Sequence, residues 1–198
     1  MAILVLASGV SHAPELPDPL LALVDGQDIL TRLIRCAGQT GIPVFVTIAT
    51  DATERAKAIS GETVTLIPIP NSRTDMSAVL RAGIRSLPDG LDGVLILMAD
   101  MPAITSDDLA VLLTHFAELG AKRVIGATDE TGQPGHPVIL PARLFRIAAR
   151  LRGGQNARSL MLSEEYSLVR LPEGHAYIDI EKPTDWVAWR APGVQANH

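Results

Sequence analysis

The sequence predicts an α/β protein, a mostly parallel central sheet with helices on both faces. Three observations predict it. Short, nearly continuous runs of Val, Ile, Leu and Ala recur along the chain, as expected of strands buried on both faces of a parallel sheet. Segments with apolar residues three and four apart lie between them, the helical period. Hydrophobic residues make up 47% and aromatics only 4%, so there is enough apolar material for a core built from aliphatic side chains.

The expected strands are residues 2–7, 43–49, 63–67, 93–99 and 123–127. The intervening helices are 30–37, 52–59, 76–87 and 106–119. In the third of these, Val79, Leu80, Gly83, Ile84 and Leu87 mark one face. The fourth opens on Thr105-Ser106-Asp107-Asp108, hydroxyls and acids where the first N–H groups of a helix need acceptors. Beyond residue 127 the alternation changes. Residues 136–140 read as a strand, 142–151 as a helix, 156–162 as a second short helix, 167–171 and 176–180 as late strands, and 183–189 as a closing helix. No stretch has linker composition, so residues 1–198 are expected to form one domain, with 191–198 as a frayed tail.

Composition excludes several functions. A net charge of −5 and a pI near 5.5 leave no basic stripe to neutralise phosphates, which argues against a dedicated nucleic-acid binder. The single cysteine, Cys36, cannot form an internal disulfide, which fits a reducing compartment. Residues 2–7 lack a positive n-region, and no run approaches the ~20 apolar residues of a spanning helix. The expectation is a soluble, cytoplasmic protein with no membrane and no nucleic-acid partner.

In a parallel α/β sheet, ligands bind beyond the carboxyl ends of the strands. Ser8, Asp100 and Thr128-Asp129 fall at those ends. Asp100, in the segment MADMP, either holds Mg²⁺ bridged to a substrate phosphate or caps a local turn. Ser8, Gly9 and Ser11 follow the first strand, as a phosphate cradle or as a plain strand-to-loop turn. Asp179 and Glu181, in IDIEKPTDW, either join Asp100 at a metal or mark a solvated strand end, and Asp185 reads as a first-turn acid. His136, between Gly and Pro, reads as structural, and Cys36, among Leu33, Ile34 and Ala37, as core. One feature conflicts with a phosphate cradle: no Lys or Arg precedes Arg32, while Glu15 and Asp18 lie within the loop.

Six segments in order carry a resemblance. LASGVS is similar to the LAAGxS opening of the molybdenum cofactor cytidylyltransferase and guanylyltransferase family, the MobA-like NTP transferases. PLLALVDGQDIL resembles the segment after that family's signature lysine, and DMSAVLRAGI its GMSxSLRAGI segment. LMADMP resembles its metal-bearing ADMP, GQPGHPVILPARLF its GxPGxPVLF, and IDIEKPTDW its DIDTPEDW. The resemblance implies a Rossmann-like nucleotidyltransferase fold. It also implies transfer of a nucleotidyl group from CTP or GTP to a terminal phosphate of molybdopterin or a similar phosphorylated acceptor, releasing pyrophosphate. Mg²⁺ is the implied cofactor and a molybdenum enzyme an implied partner. Carried over by residue, Leu6, Ala7, Ser8, Gly9, Ser11, Met76 and Ser77 would face the nucleotide. Asp100 would be the catalytic, metal-holding acid, with Asp179 or Glu181 as a second metal ligand.

The sequence departs from that pattern where charge matters. The family's loop arginine is Ala13 here, followed by Pro14 and Glu15, and its lysine is Pro19, next to Asp18. The GMS glycine is Asp75, the following serine is Val79, and the aspartate of its GDxGAR segment is Gly154, although Arg158 is kept. Removing one transition-state charge partner typically costs roughly 2–4 kcal/mol. Arg73, Arg158 and Lys182 are the candidate replacement cations, and His12 is at most a neutral hydrogen-bond donor. Three functions are therefore expected in competition. They are an active nucleotidyltransferase with an altered triphosphate grip, a catalytically weakened relative that binds a ligand or a partner in molybdenum cofactor handling, and a sugar-phosphate nucleotidyltransferase.

Overall fold

A computed structural model describes residues 1–9 and 17–176. The strands are β1 (Ala2–Leu6), β2 (Leu23–Val24), β3 (Gln27–Asp28), β4 (Val44–Ala49), β5 (Thr65–Ile69), β6 (Gly93–Met98), β7 (Val124–Thr128), β8 (Gly135–Pro141) and β9 (Tyr166–Arg170). The helices are α1 (Ile29–Gly38), α2 (Thr53–Ala58), α3 (Met76–Arg85), α4 (Ser106–Glu118), α5 (Phe145–Ala148) and α6 (Ala157–Leu162), with short 3-10 turns at Pro19–Leu21, Ala142–Leu144 and Pro172–Gly174.

Seven strands form one sheet in the order β5-β4-β1-β6-β8-β7-β9. All run parallel except β8, which is antiparallel to both neighbours. A short loop joins β7 to β8, and a connection of that length can only reverse the chain. The expected mostly parallel sheet is therefore present. β1 lies between β4 and β6, which accounts for its unbroken apolar sequence.

Alternation along β1 sorts the core into two layers. Ile3, Val5 and Ala7 face one side, with Leu30, Leu33 and Ile34 of α1 and Leu109, Leu112 and Phe116 of α4. Ala2, Leu4 and Leu6 face the other, with Val79, Leu80 and Ile84 of α3 and Leu160 and Met161 of α6. α4 begins with the expected cap: Thr105 accepts from the Asp108 N–H, and the Asp108 carboxylate accepts from the Thr105 N–H.

Two expected elements are corrected. The strand expected at 63–67 is β5, two residues later. It is an edge strand buried only at Ile67 and Ile69, which leaves Pro68 facing out, where its missing N–H is harmless. The helix expected over 142–151 is a 3-10 turn followed by the four-residue α5. Leu144, Ala148 and Leu151 satisfy the apolar spacing from single turns, and Gly153 and Gly154, both at positive φ, carry the chain away. The β2–β3 hairpin, with Asp25 and Gly26 at positive φ, was not expected. The strand expected at 176–180 lies almost wholly outside the described residues, and the helix at 183–189 and the tail at 191–198 lie outside them. No helix among the described residues is long and apolar enough to cross a membrane.

Candidate functional site

Six parallel strands bring their carboxyl ends to one rim, and β8 adds its amino end to the same rim. The ends of β1 and β6 meet there. The Ala99 N–H donates to the Leu6 carbonyl at 3.2 Å, so the two strands stay paired up to Ala7-Ser8 on one side and Asp100 on the other. Asp100 is half-buried there. On the opposite side, the Ala7 N–H donates both to the Thr47 carbonyl and to Thr47 Oγ1, each at 3.2 Å. The first residues after β1 are therefore fixed.

Ser8 is buried, and its hydroxyl has no hydrogen-bond partner among the described residues. A buried hydroxyl without a partner is costly, so its position at the rim suits a group supplied by a ligand. Gly9 has nothing within 4 Å of where a Cβ would sit, so the backbone is open to approach. Ser11 lies outside the described residues.

The cation beside this loop is Arg55 of α2. It is 5% exposed, and its guanidinium makes four contacts. Nε donates to Asp18 Oδ2 at 2.5 Å and Nη2 to Asp18 Oδ1 at 3.0 Å. Nη1 donates to the Ala7 carbonyl at 2.7 Å and the Gly9 carbonyl at 2.8 Å. Arg55 thus ties the start of the loop to its end, and Asp18 also caps the Pro19–Leu21 turn through the Leu20 N–H. The sequence reading missed Arg55, because TERAKAI reads as an ordinary amphipathic helix. The signal available was the lone Asp18, an acid in need of a partner.

The segment between β5 and α3 is pinned by Asp51, which accepts from the Ser72 N–H and hydroxyl, each at 2.9 Å. α3 then starts at the rim with Asp75 as its cap. Asp75 accepts from the Ser77 N–H at 3.1 Å and from the Ser77 hydroxyl. These bonds hold the Asp75 carboxyl below its usual range. Ser77 is buried, and its hydroxyl also accepts from Arg81 Nη1 at 3.3 Å. It is therefore engaged inside the protein. Met76 is half-buried beside it.

On the β8 side, His136 has its Nδ1 shielded from solvent and without a partner among the described residues. Burial, with a smaller contribution from the charge of Arg158, pushes the imidazole down to about 4. The ring is neutral at pH 7. Asp129 turns away into a local turn, accepting from the Thr131 N–H and hydroxyl, so it is not directed at Asp100. Cys36 behaves as core: its thiol is pushed up to about 12, chiefly by burial. Of the candidate cations, Arg73 and Arg158 are exposed and have no ion-pair partner among the described residues, and Lys182 lies outside them.

Asp179 and Glu181 also lie outside the described residues. Among the described residues, no three His, Cys, Asp or Glu side chains gather as a metal cage. A single rim carboxylate is nevertheless how Mg²⁺ is usually held, with one or two carboxylates and the rest of its shell from substrate phosphates and water. Asp100 fits that donor set.

No curated protein matches the chain. Solved structures do. A Mycobacterium sp. strain JC1 homologue of Mycobacterium tuberculosis Rv0371c has 20% identity and a TM-score of 0.80 over 94% of this chain and 92% of that one. Rv0371c from M. tuberculosis, in complex with manganese, has 19% identity and a TM-score of 0.75 over 94% and 95%. Molybdopterin-guanine dinucleotide biosynthesis protein A from Archaeoglobus fulgidus has 13% identity and a TM-score of 0.67 over 93% and 94%. At these identities the likeness is one of fold, the Rossmann-like fold of nucleotidyltransferases. The family model of the MobA-like NTP transferase domain matches residues 3–168, and the chain belongs to that family.

Proposed function

We propose that the chain transfers a nucleotidyl group from CTP or GTP to a phosphorylated small-molecule acceptor such as molybdopterin, releasing pyrophosphate. The observation that carries this reading is the pairing of the β1 and β6 ends, which brings Ser8 and Gly9 beside Asp100 on one rim. Leu6, Ala7, Ser8, Gly9 and Ser11 would approach the nucleotide from the first loop, with Met76 and Ser77 contributing through the start of α3. Asp100 would hold Mg²⁺, with Asp179 or Glu181 as the second acid. The bound metal would neutralise triphosphate charge while an acceptor phosphate oxygen attacks the α-phosphorus. The protein's own part is positioning: strand pairing and Arg55 hold Ala7, Gly9 and Asp18, the described ends of the loop, and fixed ends lower the entropic cost of alignment. A molybdenum enzyme is the partner consistent with such a product.

A second reading has a specific observation in its favour. Arg55 of α2, the cation that meets both described ends of the loop, is already paired with Asp18 and two carbonyls, so it offers a triphosphate little charge. A weakened relative that binds a nucleotide or pterin ligand without turnover would look like this.

The deciding experiment is a calorimetric titration with CTP, GTP and ATP, each with and without Mg²⁺, on the intact chain and on Asp100→Asn. Mg²⁺-dependent binding of CTP or GTP that disappears in Asp100→Asn is expected. Binding that does not change in the variant overturns the role of Asp100. No triphosphate binding by the folded protein overturns the transferase reading.

A further inference from the structure

A groove of about 840 Å³ runs between α3 and the segment at 149–153, on the sheet face away from α1 and α4. Its lining includes Ser77, Arg81, Arg85, Arg150, Leu151 and Arg152. Four guanidinium groups converge there, and the acid among the lining residues is Asp75, whose carboxylate is committed to capping α3.

Arg35, Arg123, Arg143 and Arg170 on the surface each meet a glutamate: Glu62, Glu165, Glu164 and Glu130. Arg55 meets Asp18. Among the described residues, none of the four groove arginines has an ion-pair partner, in a protein whose net charge is negative. Among the described residues Arg32, Arg73, Arg146 and Arg158 also carry no ion pair; the four groove arginines differ from them in lining one cavity. Arg81 and Arg85 are one helical turn apart on α3, a like-charge spacing that destabilises a helix, and the carboxylate close enough for Arg81 to act on is Asp75, the helix cap. Their guanidinium groups are also held in place, Arg81 by the Leu151 carbonyl and Arg85 by the Ala149 carbonyl at 2.9 Å. Each of these contacts uses one nitrogen, and a guanidinium has five N–H donors. Arg150 and Arg152 are exposed at the opposite wall.

We propose that this groove, which begins at Ser77 near the rim and runs along α3, binds a small molecule carrying two or more phosphate groups through its four arginines, none of which is among the residues assigned to the nucleotide. Guanidinium groups bind phosphate oxygens in pairs, and two pre-positioned arginines facing two exposed ones suit a ligand with two charged ends. The volume lies within the range of small-molecule sites, and the concavity suits a compact ligand better than a flat acidic protein face. The inference does not depend on transferase activity.

The test is a titration of the isotope-labelled intact chain with pyrophosphate, without Mg²⁺, followed by NMR of backbone amides and arginine Nε–H groups. Saturable shifts at residues 149–153 and at Arg81 and Arg85 are expected. In the Arg150→Gln/Arg152→Gln variant, both changes being at exposed positions, the affinity read from those shifts falls by about tenfold or more. Three results each overturn the proposal: shifts confined to residues 7–9 at the rim, no saturable shift in the groove at millimolar pyrophosphate, or groove affinity unchanged in the variant.

Discussion

Arg55 and Asp18, 37 residues apart, form a two-point ion pair that closes the loop after β1, with distances of 2.5 and 3.0 Å. The pair explains why a loop of this type carries an acid. Asp18 is not an unbalanced charge, because it neutralises a buried guanidinium. That guanidinium in turn accounts for the carbonyls of Ala7 and Gly9, which the sheet no longer bonds.

Removing one side of such a pair strands the other. Arg55→Ala leaves Asp18 and two carbonyls without their donors, and a stability loss on the order of 2–4 kcal/mol is expected, moderated because Asp18 is partly exposed. Arg55→Lys keeps the charge but cannot span four acceptors, so an intermediate loss is expected. Urea unfolding midpoints at constant slope measure both. In the Arg55→Ala/Asp18→Asn double variant the loss should be smaller than the sum of the single losses, as for any contacting pair. Additive losses would mean that the pair contributes nothing as a unit.

The parts of the molecule legible in the sequence are those set by period and pairing. β1, β4 and β6 read correctly because a strand buried on both faces must be apolar throughout, and α4 because Thr105 and Asp108 are three residues apart. The parts that did not read depend on distant partners. The identity of Asp100's neighbours follows from strand order, since β8 inserts between β6 and β7 and no local pattern specifies that. Arg55 is an ordinary helix residue until the fold brings it under Ala7 and Gly9. The short helix α5 failed for the opposite reason: Leu144, Ala148 and Leu151 satisfy a helical spacing that the backbone does not follow throughout.

His136 makes stability depend on pH. Its folded-state value, about 4, lies below the ~6.5 of an unfolded histidine. The unfolded chain therefore binds more protons between these values, and the contribution is present above pH 6.5 and lost as pH falls toward 4. The expected loss across that window is on the order of 2–4 kcal/mol. Urea unfolding at a series of pH values from 7 down to 4.5 measures it. His136→Asn should flatten this part of the profile, and an unchanged slope in the variant would assign the pH dependence to other groups.

Gly93, the first residue of β6, tests how tightly α4 sits on the sheet. A Cβ there would lie 2.6 Å from Phe116 Cζ and 2.8 Å from the Leu140 carbonyl oxygen. The second contact is backbone of the paired strand β8, so it cannot be relieved by a rotamer change. Gly93→Ala is expected to lower stability by roughly 1–3 kcal/mol, the usual cost of overpacking a core. Thermal unfolding measures it, and a neutral result would mean that β6 and β8 separate more easily than their register implies.

The missing loop cations can be restored. If their loss weakens the triphosphate grip, Ala13→Arg with Pro19→Lys should tighten triphosphate binding. One charge-assisted hydrogen bond adds about 1.5–3 kcal/mol, roughly ten- to a hundredfold in affinity. Pro19 opens the 3-10 turn that Asp18 caps, so its replacement also loosens the loop end that Arg55 holds. Ala13→Arg alone leaves that end intact and serves as the control. Calorimetry with Mg²⁺ and CTP or GTP on both variants gives the answer. A gain in the single variant that grows in the double assigns the weakness to charge. A gain in the single that the double loses assigns the remainder to loop geometry. No gain in either removes the missing cations as the cause.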